Sequence, residues 1–541
     1  MFDKSCKNML VRGVNWIGDA VMTMPALRAL RKNLPGAKIS LLVRPWVAPL
    51  FENNPDIDEI ILYEDKFDSL LGKLKLSSIL KAKKFCSSIL FQNAFDAALI
   101  AFLSGIPERI GYSRDGRGFL LTNAIPFNRD DRKMHHVFYY LNILKNIGID
   151  IDTEYSQPYI YLSMEERLRA RDVLKNLRRP VIGINPGATY GSTKRWPSER
   201  FAEVSKRIIT EFDGSVVIFG SETEAGIAEE IVSDSRLSAL SPQVASFSSA
   251  NPPECGGDSP RRTNPPGVGS SQLLILAGKT SLRELSALIS ECDILLTNDS
   301  GPMHIGYAVR TPLVAIFGST DPLLTGPPGK DNVVIKKELQ CSPCFKRKCD
   351  KQKMACMTSI TPDEVFEAVK HLVPKNRAVF FDRDGTLCKD VGYLNKFEDL
   401  EIFKETEDLK GLKEKGFKLI GISNQSGIAR GIVKEDFTKE VNKIFIEQYG
   451  FDAFYYCPHH PDEHCSCRKP EPVMLLRARA EHGIDLKKSF VIGDKELDML
   501  LAKAAGARGI FVLTGHGTES ANADYVAKDL NEAVKWILGK L

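Results

Sequence analysis

Strand-length apolar runs, each followed by a stretch of helical periodicity, recur along the chain and constrain its fold more than any other feature. Such alternation is typical of βαβ units, which build parallel sheets. The runs fall into three sets, so the sequence predicts an α/β protein with three Rossmann-like domains. They lie at residues 9–14, 39–43, 97–101, 181–185, 216–220, 273–277, 294–297, 313–317, 378–381, 418–423, 490–493 and 509–513.

The predicted domains span residues 1–165, 176–372 and 377–541, in keeping with a length of 541 residues that is too great for one core. Residues 233–271 are rich in Ser, Pro and Gly and poor in large apolar residues. We therefore predict a disordered insertion in the second domain. The functional alternative for this insertion is a regulatory or docking loop.

Charge and cysteine content limit the class of protein. A net charge of +4 gives no support to a nucleic-acid partner. There is no apolar run of about 18 residues that could span a membrane, and the first residues lack the pattern of a signal peptide. Twelve cysteines in 541 residues are too sparse for a disulfide scaffold, which indicates thiols used for chemistry or metal in a reducing compartment. We predict a cytoplasmic enzyme.

Charged and polar side chains follow successive apolar strands of the third predicted domain. Parallel strands bring such residues to one edge of a sheet, where α/β proteins bind ligands. Paired carboxylates there suit Mg²⁺, while amides, hydroxyls and cations suit phosphate oxygens. The residues are Asp382, Asp384, Ser423, Asn424, Gln425, Ser426, Arg468, Lys469 and Asp494.

This ordered set resembles the haloacid dehalogenase superfamily, whose phosphatases share a DxDGT motif. The resemblance implies that Asp382 attacks phosphorus and forms an aspartyl-phosphate. It makes Asp384 the acid and then the base, with Ser423 and Lys469 on the phosphoryl oxygens. Mg²⁺ is implied on Asp382, on Asp494 and on the backbone carbonyl of Asp384.

A cysteine and histidine cluster lies between two of these motifs, with C-x-H and C-x-C spacing. Three thiols and one imidazole suit a closed, structural Zn²⁺ site that fixes a loop without its own core. Spacing alone also admits His460 or His464, and the family resemblance favours His459. The implied zinc ligands are Cys457, His459, Cys465 and Cys467.

The zinc loop narrows the resemblance to the D-glycero-D-manno-heptose 1,7-bisphosphate 7-phosphatase family. The phrases DRDGTL, SNQSGIARG, YYCPHHP and CSCRKPEP carry it across residues 377–520. It implies heptose 1,7-bisphosphate as the substrate. Histidinol-phosphate phosphatases share the loop, so histidinol phosphate is the alternative. The implied substrate contacts are Asp390, Tyr393, Ser423, Asn424, Gln425, Ser426, Arg468 and Lys469.

The first two predicted domains carry strand–turn–helix motifs of their own. Asp19 stands in the turn after the first strand. Later, Ser300, Gly301 and His304 follow a strand and begin a helix, whose free amides favour a diphosphate. Lys194 lies before another helix and could neutralise that diphosphate.

Together these motifs resemble the ADP-heptose:lipopolysaccharide heptosyltransferases, glycosyltransferase family 9 with the GT-B fold, over residues 7–372. The type II branch is the most similar. The resemblance implies an acceptor of lipid A, Kdo and heptose on the first domain, and Asp19 as the base of an inverting transfer. No divalent metal is required there. ADP-heptose is implied to contact Lys194, Asp299, Ser300, Gly301 and His304.

Three further features have two interpretations each. Arg109, Arg114 and Arg117 either meet the anionic acceptor or are solvated loop charges. A lysine- and leucine-rich stretch either rests on the anionic inner-membrane surface or is an ordinary amphipathic helix. Its lysines are Lys73, Lys75, Lys81, Lys83 and Lys84. A second thiol cluster either binds metal or forms disulfides or free thiols. It comprises Cys341, Cys344, Cys349 and Cys356.

We therefore predict a bifunctional enzyme of lipopolysaccharide core synthesis that uses Mg²⁺ and structural Zn²⁺. One half transfers heptose from ADP-heptose, and the other removes a phosphate from heptose 1,7-bisphosphate. The alternative is that one half is inactive and serves as a binding or scaffold module. The presence of acidic and basic motif residues in both halves argues against such a loss.

Overall fold

The computed structural model describes residues 4–128, 130–151, 156–234, 272–351 and 353–540. The chain divides into two compact units, Met1–Leu372 and Val373–Leu541. Most of the predicted insertion, residues 235–271, lies outside the described residues. The parallel α/β class that the sequence predicts is confirmed in both units.

The first unit contains two parallel sheets of six strands each. The first sheet has the order β3-β2-β1-β4-β5-β6, so the chain reverses direction across the sheet beside β1. Ligands bind at such a switch point in open α/β sheets. The strands are β1 (Asn8–Arg12), β2 (Lys38–Val43), β3 (Glu59–Leu62), β4 (Ser87–Leu90), β5 (Glu108–Tyr112) and β6 (Asn123–Ile125).

One predicted strand of the first sheet is wrong. Residues 97–101 belong to a helix, and the strand is the preceding β4. The helical run is Ala-rich and almost entirely apolar, so it has no periodicity that separates a buried helix from a buried strand. The helices around this sheet are α1 (Ile17–Met22), α2 (Met24–Asn33), α3 (Leu70–Ala82), α4 (Phe95–Leu103) and α5 (His136–Lys145).

The second sheet repeats the pattern with the order β12-β11-β10-β7-β8-β9. Its central strands are fully buried, and one apolar core runs through both sheets of the unit, including Val11 and Leu295. The strands are β7 (Val181–Asn185), β8 (Ser215–Ile218), β9 (Leu273–Ile275), β10 (Ile294–Asn298), β11 (Leu313–Phe317) and β12 (Asn332–Lys336).

Helices surround the second sheet and close the unit. The short helix α1 after β1 packs against α10 after β10, so the ligand-binding edges of the two sheets face each other. The helices are α6 (Met164–Leu174), α7 (Ser198–Phe212), α8 (Ala225–Ser233), α9 (Leu282–Glu291), α10 (Gly301–Ala308), α11 (Pro322–Thr325), α12 (Ala355–Thr358) and α13 (Pro362–Leu372).

The second unit is built on one parallel sheet with the order β15-β14-β13-β16-β17-β18. Its strands are β13 (Arg377–Asp382), β14 (Phe417–Asn424), β15 (Ala453–Cys457), β16 (Phe490–Gly493), β17 (Arg508–Val512) and β18 (Tyr525–Ala527). Its helices are α14 (Lys410–Glu414), α15 (Glu435–Tyr449), α16 (Val473–His482), α17 (Glu496–Ala505) and α18 (Leu530–Leu538). Neighbouring strands β13, β14 and β16 all end at the same edge, which collects the motif residues there.

Two further observations bear on the chain as a whole. Cys6 and Cys86 form a disulfide, which our assignment of the cysteines to thiol or metal chemistry did not predict. Among the described residues, no helix combines the length and the apolar content that a membrane crossing requires.

Candidate active sites

A buried lysine joins two aspartates at the edge of the sheet in the second unit. Lys469 Nζ donates to Asp498 Oδ1 at 2.6 Å and lies 2.9 Å from Asp382 Oδ1. All three side chains are buried. Burial opposes the charge of Lys469, but Asp382 and Asp498 raise its pKa above the ordinary value. The sequence had suggested Asp498 as a carboxylate for the metal, and did not predict its pairing with Lys469 from the first turn of α17.

Three carboxylates form a compact acidic group beside this lysine. Oxygens of Asp382, Asp494 and Asp498 lie within 4.8 Å of one another. Burial raises the pKa of Asp494 to about 6, and its Oδ1 is buried without a hydrogen-bond partner. Gly385 has φ of +91°, and a Cβ there would overlap the Asp494 carboxylate. Glycine at this position therefore lets the turn approach Asp494, and the group of three carboxylates keeps one unsatisfied oxygen, as a cation site requires.

Asp384 is held apart from the acidic group by polar contacts of its own. Arg383 contacts both of its carboxylate oxygens, with Nε and Nη2 each at 3.0 Å. Gln425 Nε2 donates to Oδ2 at 2.8 Å and to Ser423 Oγ at 2.7 Å. This network holds the Asp384 carboxyl in one orientation through Arg383 and Gln425. Arg383 was not among the predicted site residues.

The other predicted phosphatase residues lie around this centre. Lys495 Nζ donates to Asp390 Oδ2 at 2.9 Å. The Lys469 backbone N–H donates to Asn424 Oδ1 at 3.1 Å. Arg468 Nη1 is buried without a hydrogen-bond partner. Tyr393 is 43% exposed, so its ring is available at the surface. Ser426 is half-buried in the loop after β14.

The predicted zinc loop gathers its four ligands. Atoms of Cys457, His459, Cys465 and Cys467 lie within 4.8 Å of one another, and all four side chains are buried. Neither alternative histidine joins them. His460 Nδ1 accepts from the Asp462 backbone N–H, and His464 is exposed. Of these three histidines, only His459 lies among the three thiols, a placement that spacing alone could not predict.

Asp19 lies at the first unit's cleft and has two partners from α5. His136 Nδ1 is 3.2 Å from Asp19 Oδ1, and Tyr140 Oη donates to the same oxygen at 3.4 Å. These groups line a cavity of about 450 Å³ that also includes Trp16 and Arg114. No local motif predicted His136 or Tyr140, because they come from a helix far along the chain.

The buried side chain of His304 packs directly on the turn that carries Asp19. A Cβ on Gly18 would lie 2.5 Å from His304 Cδ2, so only glycine admits this approach. Burial lowers the pKa of His304 to about 4, while Asp299 and Asp19 oppose that shift. His304 is therefore neutral at pH 7 and can donate one hydrogen bond without adding charge.

The remaining predicted nucleotide-sugar residues surround the N-terminus of α10. Lys194 Nζ lies 2.5 Å from Asp299 Oδ2, which also accepts from Thr320 Oγ1 at 2.6 Å. Ser300 precedes the helix and accepts from Asn185 Nδ2 at 3.2 Å, and Gly301 is the first helical residue. Lys194 and the backbone N–H groups at the start of α10 thus lie close together, which suits the binding of a phosphate group.

The three arginines of the first domain have different environments. Arg117 is fully buried and donates to backbone oxygens of Tyr112 and Gln92, so it is neither an acceptor contact nor a solvated charge. Arg109 likewise donates to the Leu120 carbonyl at 2.6 Å. Arg114 lines the cavity, and its guanidinium lies 4.2 Å from the centre of the Phe127 ring. Of these three arginines, Arg114 is the one that is placed to contact a ligand in the cavity.

The buried neutral His304 predicts an acid-sensitive first unit. Its folded pKa of about 4 lies below the usual 6.5, so the unfolded chain binds more protons between these values. The stabilisation is complete above pH 6.5 and is lost as the pH falls through that range. We expect the wild type to lose about 2 kcal/mol more than His304→Gln between pH 7.5 and pH 5. Urea unfolding of both variants measures this, and exposed His371→Gln should behave as wild type.

Comparisons with known proteins match the two units separately. The family described as glycosyltransferase family 9 (heptosyltransferase) matches residues 73–245 and 262–355. The HAD-hydrolase-like family matches residues 466–533. The chain is 29% identical over 373 residues to lipopolysaccharide heptosyltransferase 2 of Salmonella typhimurium, covering 68% of this chain and 98% of that protein.

The last third has a relative of its own. The chain is 40% identical over 173 residues to D-glycero-beta-D-manno-heptose-1,7-bisphosphate 7-phosphatase of Helicobacter pylori, covering 31% of this chain and 99% of that protein. Among solved structures, E. coli ADP-heptose lps heptosyltransferase II is similar to the first unit. That match has a TM-score of 0.53 and 26% identity, and covers 67% of this chain and 98% of the other.

The folds and relatives define a two-part enzyme, with a GT-B glycosyltransferase in the first unit and a HAD-like phosphatase in the second. The relatives specify both parts. The chain belongs to glycosyltransferase family 9 (heptosyltransferase) over its first two thirds and to the D-glycero-D-manno-heptose 1,7-bisphosphate 7-phosphatase family over its last third.

Proposed function

We propose that this chain is a bifunctional enzyme of lipopolysaccharide core synthesis. The first unit transfers heptose from ADP-heptose to an inner-core acceptor with inversion. The second unit hydrolyses the 7-phosphate of D-glycero-D-manno-heptose 1,7-bisphosphate. The observation that carries the proposal is that one chain holds both sets of residues, with His304 packed on Gly18 next to Asp19 and with Lys469 beside Asp382.

In the phosphatase reaction, an Asp382 oxygen bonds to phosphorus as the bond to the sugar oxygen breaks. Asp384, oriented by Arg383 and Gln425, gives a proton to the departing oxygen. Asp384 then takes a proton from the water that attacks the aspartyl-phosphate, which frees phosphate and restores Asp382. Lys469 stays paired with Asp498 and keeps a positive charge next to the incoming phosphoryl group.

The acidic group fits the Mg²⁺ that its family implies. Asp382 and Asp494 would hold the ion, with the Asp384 carbonyl, and the unpartnered Asp494 Oδ1 is an available ligand atom. When bound, the ion offsets the negative charge of the phosphoryl group. Both oxygens of Asp498 have partners, Oδ1 with Lys469 Nζ and Oδ2 with the Lys495 backbone N–H, so its place is beside the metal rather than on it.

The Cys457, His459, Cys465 and Cys467 group fits a structural Zn²⁺, because four buried soft ligands leave no open position. We expect Cys465→Ser to release about one zinc per chain and to destabilise the second unit by at least about 5 kcal/mol. Metal analysis and thermal unfolding measure these effects. His464→Asn is the control, because His464 is exposed with φ of +45°, which asparagine tolerates. Equal zinc content and melting in both variants would contradict the proposed site.

In the transferase reaction, the Asp19 carboxylate accepts the proton of the acceptor hydroxyl as that oxygen bonds to the heptose anomeric carbon. The bond from this carbon to the diphosphate breaks on the opposite face, which gives inversion. Lys194 and the first amides of α10 stabilise the departing ADP. Neutral His304 lies between Asp19 and the diphosphate site, where it supplies a hydrogen bond without repelling Lys194.

Substrate assays with the full chain test the proposal and its rivals together. Phosphate release from heptose 1,7-bisphosphate should exceed that from histidinol phosphate by at least about 100-fold in kcat/KM, because a polar site discriminates strongly among polar substrates. The same protein should transfer heptose from ADP-heptose to a heptosylated acceptor. A faster reaction with histidinol phosphate would favour the alternative substrate. Failure of one activity alone would favour an inactive scaffold half.

We also propose that the first unit contacts an anionic membrane through an apolar patch near the cavity that Asp19 lines. Leu70, Leu71 and Leu74 of α3 are exposed, as are Phe95 and Phe102 of the adjoining α4. Exposed lysines on the same stretch complement anionic headgroups. They are Lys75, Lys81 and Lys84. Residue 94, next to this patch, lines the cavity, so a lipid-anchored acceptor could enter from the bilayer.

Vesicle binding tests this patch. Leu71 is 78% exposed, and Leu71→Glu should weaken binding to phosphatidylglycerol vesicles at least about 10-fold, since one buried leucine is worth about 2 kcal/mol. Leu323→Glu is the matched control, because Leu323 is 76% exposed on α11. Equal losses in both variants, or wild-type binding by Leu71→Glu, would argue against the patch.

A further inference from the structure

Four thiols follow β12 in a segment that neither proposed reaction uses. We define the cysteine loop as residues 341–351 together with 353–358. Cys341 and Cys344 are exposed, and Cys349 and Cys356 are half-buried. Apart from the four-residue helix α12, the described part of this loop has no helix or strand, and Met357 is its one fully buried side chain.

Both ends of the cysteine loop return to the same backbone segment after β11. The N–H groups of Cys344 and Phe345 both donate to the Ser319 carbonyl, at 3.0 and 2.8 Å. At the far end, Met357 packs so tightly on Gly318 that a Cβ there would overlap its sulfur. Cys344 and Cys356 are therefore brought to one place by contacts that do not involve their thiols.

The middle of the loop supports the segment that carries Lys194. Thr193 Oγ1 donates to the Lys346 carbonyl at 2.5 Å, and Tyr190 Oη donates to the Phe345 carbonyl at 2.6 Å. Lys194 Nζ in turn lies 4.7 Å from the centre of the Tyr190 ring. The position of the diphosphate-binding lysine thus depends on a loop that has almost no core.

Ordering such a loop costs about 1 to 2 kcal/mol per residue in backbone entropy, which a few hydrogen bonds do not offset. Four thiols in one loop are suited to supply the missing stabilisation through a thiophilic cation.

We propose that Cys341, Cys344, Cys349 and Cys356 together bind one structural Zn²⁺ that fixes the cysteine loop against the Lys194 segment. Among the described residues, two other groups have ligand atoms within 4.8 Å of one another, and the four sulfurs of the cysteine loop do not form such a group. Binding therefore has to draw the four sulfurs together, which the exposure of Cys341 and Cys344 permits. The inference is independent of which sugar or acceptor the enzyme uses.

Metal analysis of the full chain, purified under reducing conditions without chelator, tests the proposal. We expect about two zinc ions per chain in the wild type and about one in Cys341→Ser. Cys465→Ser should also retain about one, and the double variant almost none. Cys341 is exposed, so its replacement leaves the fold intact apart from the metal. Phosphatase activity of Cys341→Ser should equal wild type, because that centre lies in the other unit.

Function in the first unit supplies a second readout. Loss of the loop metal should raise KM for ADP-heptose about 5-fold or more, with little change in kcat, because Lys194 contributes binding. A wild type with one zinc that Cys341→Ser retains would overturn the proposal. A mass increase on reduction that maps to disulfides among the four cysteines would overturn it as well.

Discussion

Replacing Asp382 with asparagine is expected to slow phosphate release from heptose 1,7-bisphosphate by at least about 10⁴-fold. An amide cannot attack phosphorus, and no neighbour can take over. Asp384 is held by Arg383 and Gln425, and Asp498 by Lys469. Heptosyl transfer by the same variant should be unchanged, because Asp19 lies in the other compact unit.

The loss should not come from unfolding. Asparagine has nearly the same size as aspartate, and burial raises the pKa of Asp382, so its charge is costly in the native state. Lys469 keeps Asp498 as a partner at 2.6 Å. We expect melting close to wild type. Asp436→Asn, at a side chain that is 92% exposed on α15, should leave both activities unchanged.

Rapid quenching of the wild type should trap phosphate covalently on the protein, and Asp382→Asn should trap none. If the variant retained more than about 1% of the wild-type rate, another group would be the nucleophile. Trapped phosphate on a different residue would lead to the same conclusion. Either result would leave the transferase assignment untouched, since its residues and assay are separate.

The phosphatase centre could largely be predicted from sequence because its residues follow the ends of adjacent parallel strands. Asp382, Asn424 and Gly493 each end a strand at the same edge, so linear order already implied proximity. Contacts that depend on the direction of a side chain could not be predicted in this way. Nothing in the sequence indicated that Asp498, on a helix, pairs with Lys469, or that Asp384 is held by its neighbour Arg383.

The transferase cleft was less predictable, because its parts come from two sheets. His304 reaches the turn of Asp19 only because residue 18 is glycine, a contact between segments almost 300 residues apart. His136 and Tyr140 approach from α5, which carries no motif. Arg117 illustrates the opposite error, since both interpretations of it, an acceptor contact or a solvated loop charge, required an accessible side chain, and it is fully buried.

Asp19→Asn is expected to lower the rate of heptosyl transfer by about 10³-fold, within the range that a general base contributes. Asparagine can still accept from Tyr140 and contact His136, so the cavity and the position of the acceptor should be preserved. The loss should therefore fall on kcat, with KM nearly unchanged. Phosphate release by the second unit should be unaffected and provides an internal measure of folded protein.

Asp115→Asn is the matched control, because Asp115 lines the same cavity and undergoes the same change of charge. Its φ of +52° is one that asparagine adopts readily. If the slower transfer by Asp19→Asn reflected only a changed electrostatic potential in the cavity, both variants would slow transfer equally. Transfer at more than about a tenth of the wild-type rate in Asp19→Asn would exclude Asp19 as the base.

His136 is a neighbouring group that could accept the proton instead, since its Nδ1 lies 3.2 Å from Asp19 Oδ1. Assigning the base to Asp19 or to His136 predicts opposite orders for the loss of kcat in the two variants. If Asp19 is the base, His136→Asn removes only an orienting contact and should cost about 10-fold. If His136 is the base, its replacement should cost more than Asp19→Asn. Measuring kcat for both variants with one acceptor therefore decides which of the two paired side chains takes the proton.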